Sequence, residues 1–336
     1  MLSLLIIITL FEMGQQLMGR LREEQIQVKG DVMLEGTVAI PTSGLARYPA
    51  IIIISGSGGA DRDGNMKKPP LVTNLYKDLA YFLTELDFIT LRYDKRGVGE
   101  SEGDLLKTGM TELVDDIKTM ITFLKQHPQV DPDKIILLGH SEGCVLATKV
   151  NAEMPVAGLI LIAGAGTNLK DPIIYQNRQM LEEIKRLRGL KGKLLRILVK
   201  EDKIMKQTNA LFNKMEQSTT DFVKYKLKKV PAKWFREHFR YRTEEVLNDL
   251  MYATCPILAV TGDKDVQANV DDLKVVKGLG NETIKTVIIK NMNHMLKEFK
   301  GEKTVLNLMK QYKQGATAPI HEELKQQLKI WLTSLK

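Results

Sequence analysis

Ser141 stands in Gly139-His140-Ser141-Glu142-Gly143, directly after an apolar run at 135–138 and directly before a helix-compatible segment at 144–151. A serine hydroxyl is a poor nucleophile unless it is held clear of the backbone beside a base. A sharp strand-to-helix turn achieves this. Such a turn forces strained dihedrals and close backbone packing, which only glycine tolerates well at the two flanking positions. It also places Ser141 at a helix N-terminus, where free N–H groups stabilise negative charge. The G-x-S-x-G pattern occurs by chance, but a buried strand before it and a helix after it give it chemical meaning.

A serine nucleophile needs a base, and the base needs an orienting carboxylate. The chain has five histidines. His127 precedes a proline at a helix end and reads as surface. His140 lies inside the turn and reads as structural, His238 falls in a basic region, and His321 sits near the start of the last helix. His294, in Asn291-Met292-Asn293-His294-Met295, follows the last strand, which suits the chain order serine, acid, histidine. The acid should end the preceding strand, where Thr261-Gly262-Asp263-Lys264-Asp265 offers two carboxylates. Asp265 is favoured because the turn needs a few residues before a side chain can reach back. Asp263 is the alternative and reads as a turn-forming residue. The oxyanion needs two backbone donors. One is the N–H of Glu142, the residue after the nucleophile. The other belongs to the loop Ser55-Gly56-Ser57-Gly58-Gly59, at Ser57 or, failing that, at Gly58. That loop lacks the Gly-Lys-Ser/Thr ending of a phosphate loop and the spacing of a dinucleotide fingerprint.

These groups need elements to position them. Residues 24–29 and 32–40 alternate polar and apolar side chains around Gly30-Asp31, which predicts an edge hairpin. The pure apolar run at 50–54 reads as a strand buried on both faces, 88–93, 134–139 and 156–163 read as further buried strands, and strand patterning resumes at 256–261 and 283–289. Helical periodicity at 71–86, 111–126 and 320–335 alternates with them, and His127-Pro128 stops the second of these helices. The pattern predicts an α/β fold: a mostly parallel sheet with helices on both faces, and sites at the carboxyl ends of its strands. Every candidate residue falls at such an end.

Composition is that of a soluble globular protein: 336 residues, 43% hydrophobic, 27% charged, with a net charge of +8 and a pI near 9.2. The basic excess is local. Residues 170–250 hold 20 Lys and Arg against 11 Asp and Glu, and elsewhere the signs are mixed, so nucleic-acid binding is not indicated. Cys144 and Cys255 have neither metal-site spacing nor the look of a disulfide scaffold; Cys144 reads as core, and Cys255-Pro256 reads as the opening of a strand. No metal or cofactor is implied. Residues 2–11 are apolar, lack a basic flank and a small-residue cleavage site, and are too short to span a bilayer. The expected organisation is an apolar tail at 1–22, core at 23–168, a helical basic cap at 169–252 and core again at 253–336. A cytoplasmic location is expected, with membrane association through the tail as the alternative.

The chain resembles the α/β-hydrolase superfamily and, within it, bacterial esterases of the serine-aminopeptidase-like branch. The resemblance rests on Gly56-Ser57-Gly58-Gly59 with Asp61-Arg62-Asp63-Gly64-Asn65, on Tyr93-Asp94-Lys95-Arg96-Gly97-Val98-Gly99-Glu100-Ser101, on the turn at Ser141, on residues 262–267 and on Asn293-His294. It implies an α/β-hydrolase fold and a triad of Ser141, Asp265 and His294, as the residues themselves suggest. It also implies that the Asp-Lys-Arg-Gly loop is structural. The basic insert has no counterpart that identifies a substrate. A cap excludes water and shapes the pocket, and its basic excess reads first as a solvated face, second as a site for anionic substrates or membranes. Trp234 and Phe235 either face the pocket or anchor the cap.

The expected function is hydrolysis of carboxylic esters of small to medium size. A thioesterase or lysophospholipase acting on anionic lipid, and a small-peptide hydrolase, share the same machinery and are separated only by the cap. A non-enzymatic binding protein on this scaffold would have no need of an intact serine, histidine and acid. Haloalkane chemistry is disfavoured, because those relatives carry aspartate where Ser141 stands.

Overall fold

The computed structural model describes residues 21–335, so the apolar segment at 2–11 lies outside the described residues. Eight strands form one sheet: β1 (Leu21–Lys29), β2 (Met33–Pro41), β3 (Tyr48–Ile54), β6 (Ile89–Tyr93), β7 (Val130–His140), β8 (Gly158–Ile162), β11 (Ile257–Gly262) and β12 (Ile284–Ile289). The spatial order is β1-β2-β6-β3-β7-β8-β11-β12. Six strands run parallel, from β6 to β12, and the hairpin β1–β2 adds two antiparallel strands at one edge. The edge hairpin matches the alternation in the sequence, and β1 also takes in Leu21 and Arg22, which the sequence assigns to the tail. The runs inside the sheet are buried on both faces, with Ile52 and Ile54 in one core and Ile51 and Ile53 in the other, whereas β12 stands at the edge and is only partly buried, with Ile288 49% exposed.

Helices cover both faces. On one lie α2 (Met110–Gln126), α3 (Glu142–Glu153), α8 (Thr243–Met251) and α9 (Asp272–Lys277); on the other lie α1 (Leu75–Thr84) and α11 (Glu322–Thr333). In α2 the buried residues Met110, Leu113, Val114, Ile117, Met120, Ile121 and Leu124 recur at helical spacing and make one stripe. Glu112 accepts from the N–H of Gly109 at its start.

Between β8 and β11 the chain forms α4 (Lys170–Arg186), α5 (Gly189–Leu198), α6 (Glu201–Gln217), a short hairpin of β9 (Val223–Tyr225) and β10 (Lys228–Val230), and α7 (Ala232–Arg240) before α8. The helices expected of the cap are present and pack on one another. Leu181, Ile184, Phe212 and Met215 are buried, and the rings of Phe212 and Phe239 meet edge to face at 4.9 Å. Two small features lie outside the elements expected from the sequence: the two-residue strands β4 (Met66–Lys67) and β5 (Pro70–Leu71), and α10 (Leu308–Gly315).

Lys297 is only 1% exposed, and its ammonium meets no acceptor among the described residues closer than Asp78 Oδ2 at 3.8 Å. Burial lowers its pKa, and Asp78 opposes that only in part. A charged lysine held this way costs folding free energy until it loses its proton. Lys297→Met is therefore expected to raise Tm at neutral pH by about 2 °C or more. The gain should shrink as pH rises towards the ordinary lysine range, because there the native lysine sheds its charge before the unfolded one does. Thermal melts at two pH values check both the size and the trend.

Candidate active site

Ser141 has φ +55° and ψ −119°, a region that strains any residue with a β-carbon. The strain is imposed by close approach on both sides. A β-carbon at Gly139 would lie 2.2 Å from the Gly143 carbonyl oxygen, and one at Gly143 would lie 2.3 Å from that of Ile54. Both positions therefore exclude any side chain, and the chain turns from β7 into α3 at Ser141. The Ser141 N–H donates to Ile162 O at 2.9 Å, which fixes the turn to β8. Glu142 is the first residue of α3, so its N–H has no acceptor within the helix.

His294 follows β12, and its Nδ1 lies 2.8 Å from Asp265 Oδ2. Asp265 is fully buried and sits just beyond β11. Its other oxygen, Oδ1, accepts from the N–H groups of Gln267 (2.7 Å) and Ala268 (2.9 Å). A carboxylate can only accept, so Nδ1 of His294 carries the proton and Nε2 is left free to accept one. Asp263 acts elsewhere. Its Oδ1 accepts from the N–H of Asn291 at 2.6 Å and ties the two loops together. The sequence assigns turn-forming to Asp263. In the structure, Asp265 makes the turn bonds as well as the bond to His294.

His140 is buried and joins the site through a directional chain. Its Nε2 lies 2.9 Å from the carbonyl oxygen of His294, so Nε2 carries a proton. Burial, reinforced by the neighbouring His294, holds the His140 pKa down at about 3, which keeps the ring neutral. Nδ1 must then accept, and it takes the Tyr76 hydroxyl proton at 3.0 Å. The Tyr76 oxygen in turn accepts from the N–H of Gly56 at 2.9 Å. The backbone of the base and the glycine-rich loop are thus linked through two side chains.

The carboxylate of Glu142 is fully buried and carries an unexpected set of partners. Lys95 Nζ lies 3.0 Å from Oε2, Trp234 Nε1 donates to Oε1 at 2.6 Å, and His238 Nε2 lies 3.1 Å from Oε1. Burial pushes its pKa up, but Lys95 and His238 outweigh that and hold it at about 2. The stability this contributes is complete above the usual glutamate range and is lost as pH falls from there towards 2. No local pattern assigns His238 such a role. Trp234 both anchors α7 to Glu142 and lines the cleft, so its two readings hold together.

Two cavities meet at Ser141. One, about 240 Å³, is mostly apolar, with Met66, Leu71, Leu308 and Met309 among its walls, and reaches Ser57, Ser141 and His294. The other, about 210 Å³, runs under α4 and α7 past Asn168, Gln176, Trp234 and Phe235, and also reaches Ser57, Ser141 and His294. The Ser57 N–H is engaged by no described residue. Among the described residues no group of three His, Cys, Asp or Glu side chains is placed to hold a metal ion.

A mostly parallel sheet, a strained serine at the β7–α3 turn and a histidine–aspartate pair at the ends of the last strands define an α/β-hydrolase fold. The family described as serine aminopeptidase, S33, matches residues 72–298, and the chain belongs to it. It is 25% identical over 299 residues to esterase EstD of Thermotoga maritima, covering 86% of this chain and 63% of that protein. It is 30% identical over 128 residues to the monoglyceride lipase of Mus musculus, covering 37% of this chain and 38% of that protein. The chain thus matches less than two thirds of the length of either relative. Among solved structures it is similar to Est1E of Butyrivibrio proteoclasticus with ferulic acid bound, with a TM-score of 0.59, 17% identity and coverage of 92% of this chain and 98% of that one.

Proposed function

We propose that this chain is a serine esterase that cleaves carboxylic esters of small to medium size through an acyl-enzyme at Ser141. The observation that carries the reading is the strained Ser141 sharing one cleft with His294, whose Nδ1 is held by Asp265. Ser141 Oγ attacks the acyl carbon as His294 Nε2 takes its proton. Asp265 keeps the ring oriented and stabilises its charged form. The N–H groups of Ser57 and Glu142 hold the oxyanion. His294 returns the proton to the departing alcohol, then activates water, which releases the acid and regenerates Ser141. The names of EstD and of monoglyceride lipase support ester substrates.

Turnover of a p-nitrophenyl ester series, beside labelling by a fluorophosphonate probe, tests this reading. One-to-one labelling at Ser141 with hydrolysis falling off at long acyl chains is expected, because the apolar cavity is only about 240 Å³. An unlabelled protein with no ester turnover would refute it.

A second reading, a lysophospholipase or thioesterase working at an anionic lipid surface, is favoured by α5. Leu190, Leu194, Ile197 and Leu198 are 85%, 57%, 68% and 60% exposed. They lie at helical spacing on one stripe, among the exposed Arg188, Lys193, Arg196 and Lys200. An apolar stripe flanked by cations fits the interface of an anionic bilayer. Among the described residues no helix is long and apolar enough to cross a membrane. Co-sedimentation with phosphatidylglycerol vesicles is expected, and it should disappear in Leu194→Ser/Ile197→Ser/Leu198→Ser while short-ester turnover is kept. Equal sedimentation of the variant and the wild type would remove this reading.

A further inference from the structure

Lys95 lies two residues beyond β6, in the loop that the resemblance treats as structural. Its side chain is 3% exposed, and its ammonium makes two contacts that belong to the two arms of the proposed oxyanion site. It donates to Gly56 O at 2.6 Å and to Glu142 Oε2 at 3.0 Å. The carbonyl of Gly56 and the N–H of Ser57 are two ends of one peptide unit, which is planar, with its N–H directed opposite to its C=O. An ammonium fixed on the oxygen therefore sets the direction in which the Ser57 N–H points. The other side of Gly56 is fixed too, since its own N–H donates to Tyr76 Oη. A glycine-rich loop with an exposed serine is thus held at the one peptide whose orientation matters.

The second contact reaches the other arm. Glu142 supplies the second donor through its backbone N–H, and its carboxylate is the group that Lys95 holds. The same carboxylate takes the Trp234 indole N–H and faces His238, so α7 is attached to this point as well. The ring of His238 is held by the Trp234 carbonyl oxygen at 2.9 Å from Nδ1, and its Nε2 lies 3.1 Å from Glu142 Oε1 outside hydrogen-bond geometry. Lys95 ties the glycine-rich loop to Glu142, beside the separate tie that Tyr76 makes from Gly56 to His140.

We infer that Lys95 is a positioning residue for acyl transfer: its ammonium aims the Ser57 N–H by pinning the Gly56–Ser57 peptide and holds Glu142 at the same time, so that both oxyanion donors converge. The inference rests on the serine-esterase reading above. Lys95 touches no reacting atom, and its effect is confined to the state in which the oxyanion exists. Donors aimed at developing charge raise turnover without tightening ground-state binding, and losing one typically lowers kcat by about a hundred- to a thousand-fold.

The test compares Lys95→Met, Glu142→Gln and Lys95→Met/Glu142→Gln on a p-nitrophenyl ester, with Tm measured for each. It adds inhibition by an alkyl trifluoromethyl ketone. The ketone accepts Ser141 Oγ at its carbonyl carbon while His294 takes the proton, and its oxygen becomes the oxyanion. Lys95→Met should lower kcat about a hundred-fold, leave KM within about three-fold, and weaken the ketone by a factor similar to that on kcat/KM. Glu142→Gln, which leaves Lys95 on Gly56 O, should lower kcat less than about ten-fold. The double variant removes the buried charges as a pair and keeps the test available if the lysine variant alone does not fold. Its kcat and ketone affinity should match those expected for Lys95→Met. A folded double variant with kcat within about three-fold of the wild type would overturn the inference. So would a loss of kcat with ketone affinity unchanged, or a loss in Glu142→Gln as large as that in the double variant. If the esterase reading itself fails, the wild type will neither turn over the ester nor be labelled by a fluorophosphonate, which is a different outcome from all of these.

Discussion

Ser141→Ala is expected to lower kcat on p-nitrophenyl esters by about a million-fold and to abolish fluorophosphonate labelling, with the fold intact. Removing one member of a nucleophile–base–acid unit costs nearly as much as removing the whole unit, because the remaining groups have nothing to act on. The backbone gives this prediction a second half. At φ +55° and ψ −119° the strain belongs to the β-carbon, and alanine keeps it. Ser141→Gly deletes the β-carbon and should relieve strain of about 1–3 kcal/mol, offset by the greater freedom of glycine in the unfolded chain. The net expectation is a rise of about 1 kcal/mol in stability for Ser141→Gly, beside an equally complete loss of activity. Kinetics and thermal melts on the two variants check both halves. An active Ser141→Ala would remove the serine from the mechanism, and an unchanged or lower melting point for Ser141→Gly would mean that the turn is not where strain is stored.

Much of this was legible in the sequence because two physical rules act locally. Strands buried on both faces must be apolar throughout, so 50–54, 135–138 and 256–261 declare themselves, and sites in such sheets fall at strand ends. That alone brings Ser141, Asp265 and His294 to the same edge. What stayed hidden depends on contacts between distant segments. Nothing near His238 reveals that it will meet Glu142 across 96 positions of chain, and a glutamate after the serine reads as an ordinary first-turn acid until Lys95 and Trp234 are seen beside it. The apolar cavity is hidden in the sequence for a different reason. Among its walls are Met66 and Leu71 from the two-residue strands and Leu308, Met309 and Tyr312 from α10, a stripe of only three residues on a short helix. Local periodicity reports elements that bury a face on their own sheet, and these short pieces do not.

Asp265→Asn is expected to lower kcat about ten-thousand-fold, whereas Asp263→Asn should stay within a few-fold of the wild type. An asparagine in place of Asp265 would almost preserve the shape of the site, which makes the expected loss specific. Two backbone N–H groups, from Gln267 and Ala268, point at Oδ1 of Asp265. They need an acceptor, so they would hold the amide oxygen of the introduced side chain and turn its NH2 towards His294. An NH2 donates, and Nδ1 of His294 would have to accept. The ring's proton then moves to Nε2, and the nitrogen facing the serine has no lone pair with which to take a proton. At Asp263 the same exchange keeps what matters there, an oxygen accepting from the N–H of Asn291. The residual activity of Asp265→Asn should rise at high pH, where hydroxide takes the serine proton in place of the ring, while that of Asp263→Asn should follow the wild-type profile. Rate profiles from about pH 6 to 10 on the two variants decide the assignment. Comparable losses in both, or the larger loss in Asp263→Asn, would transfer the acid's role away from Asp265.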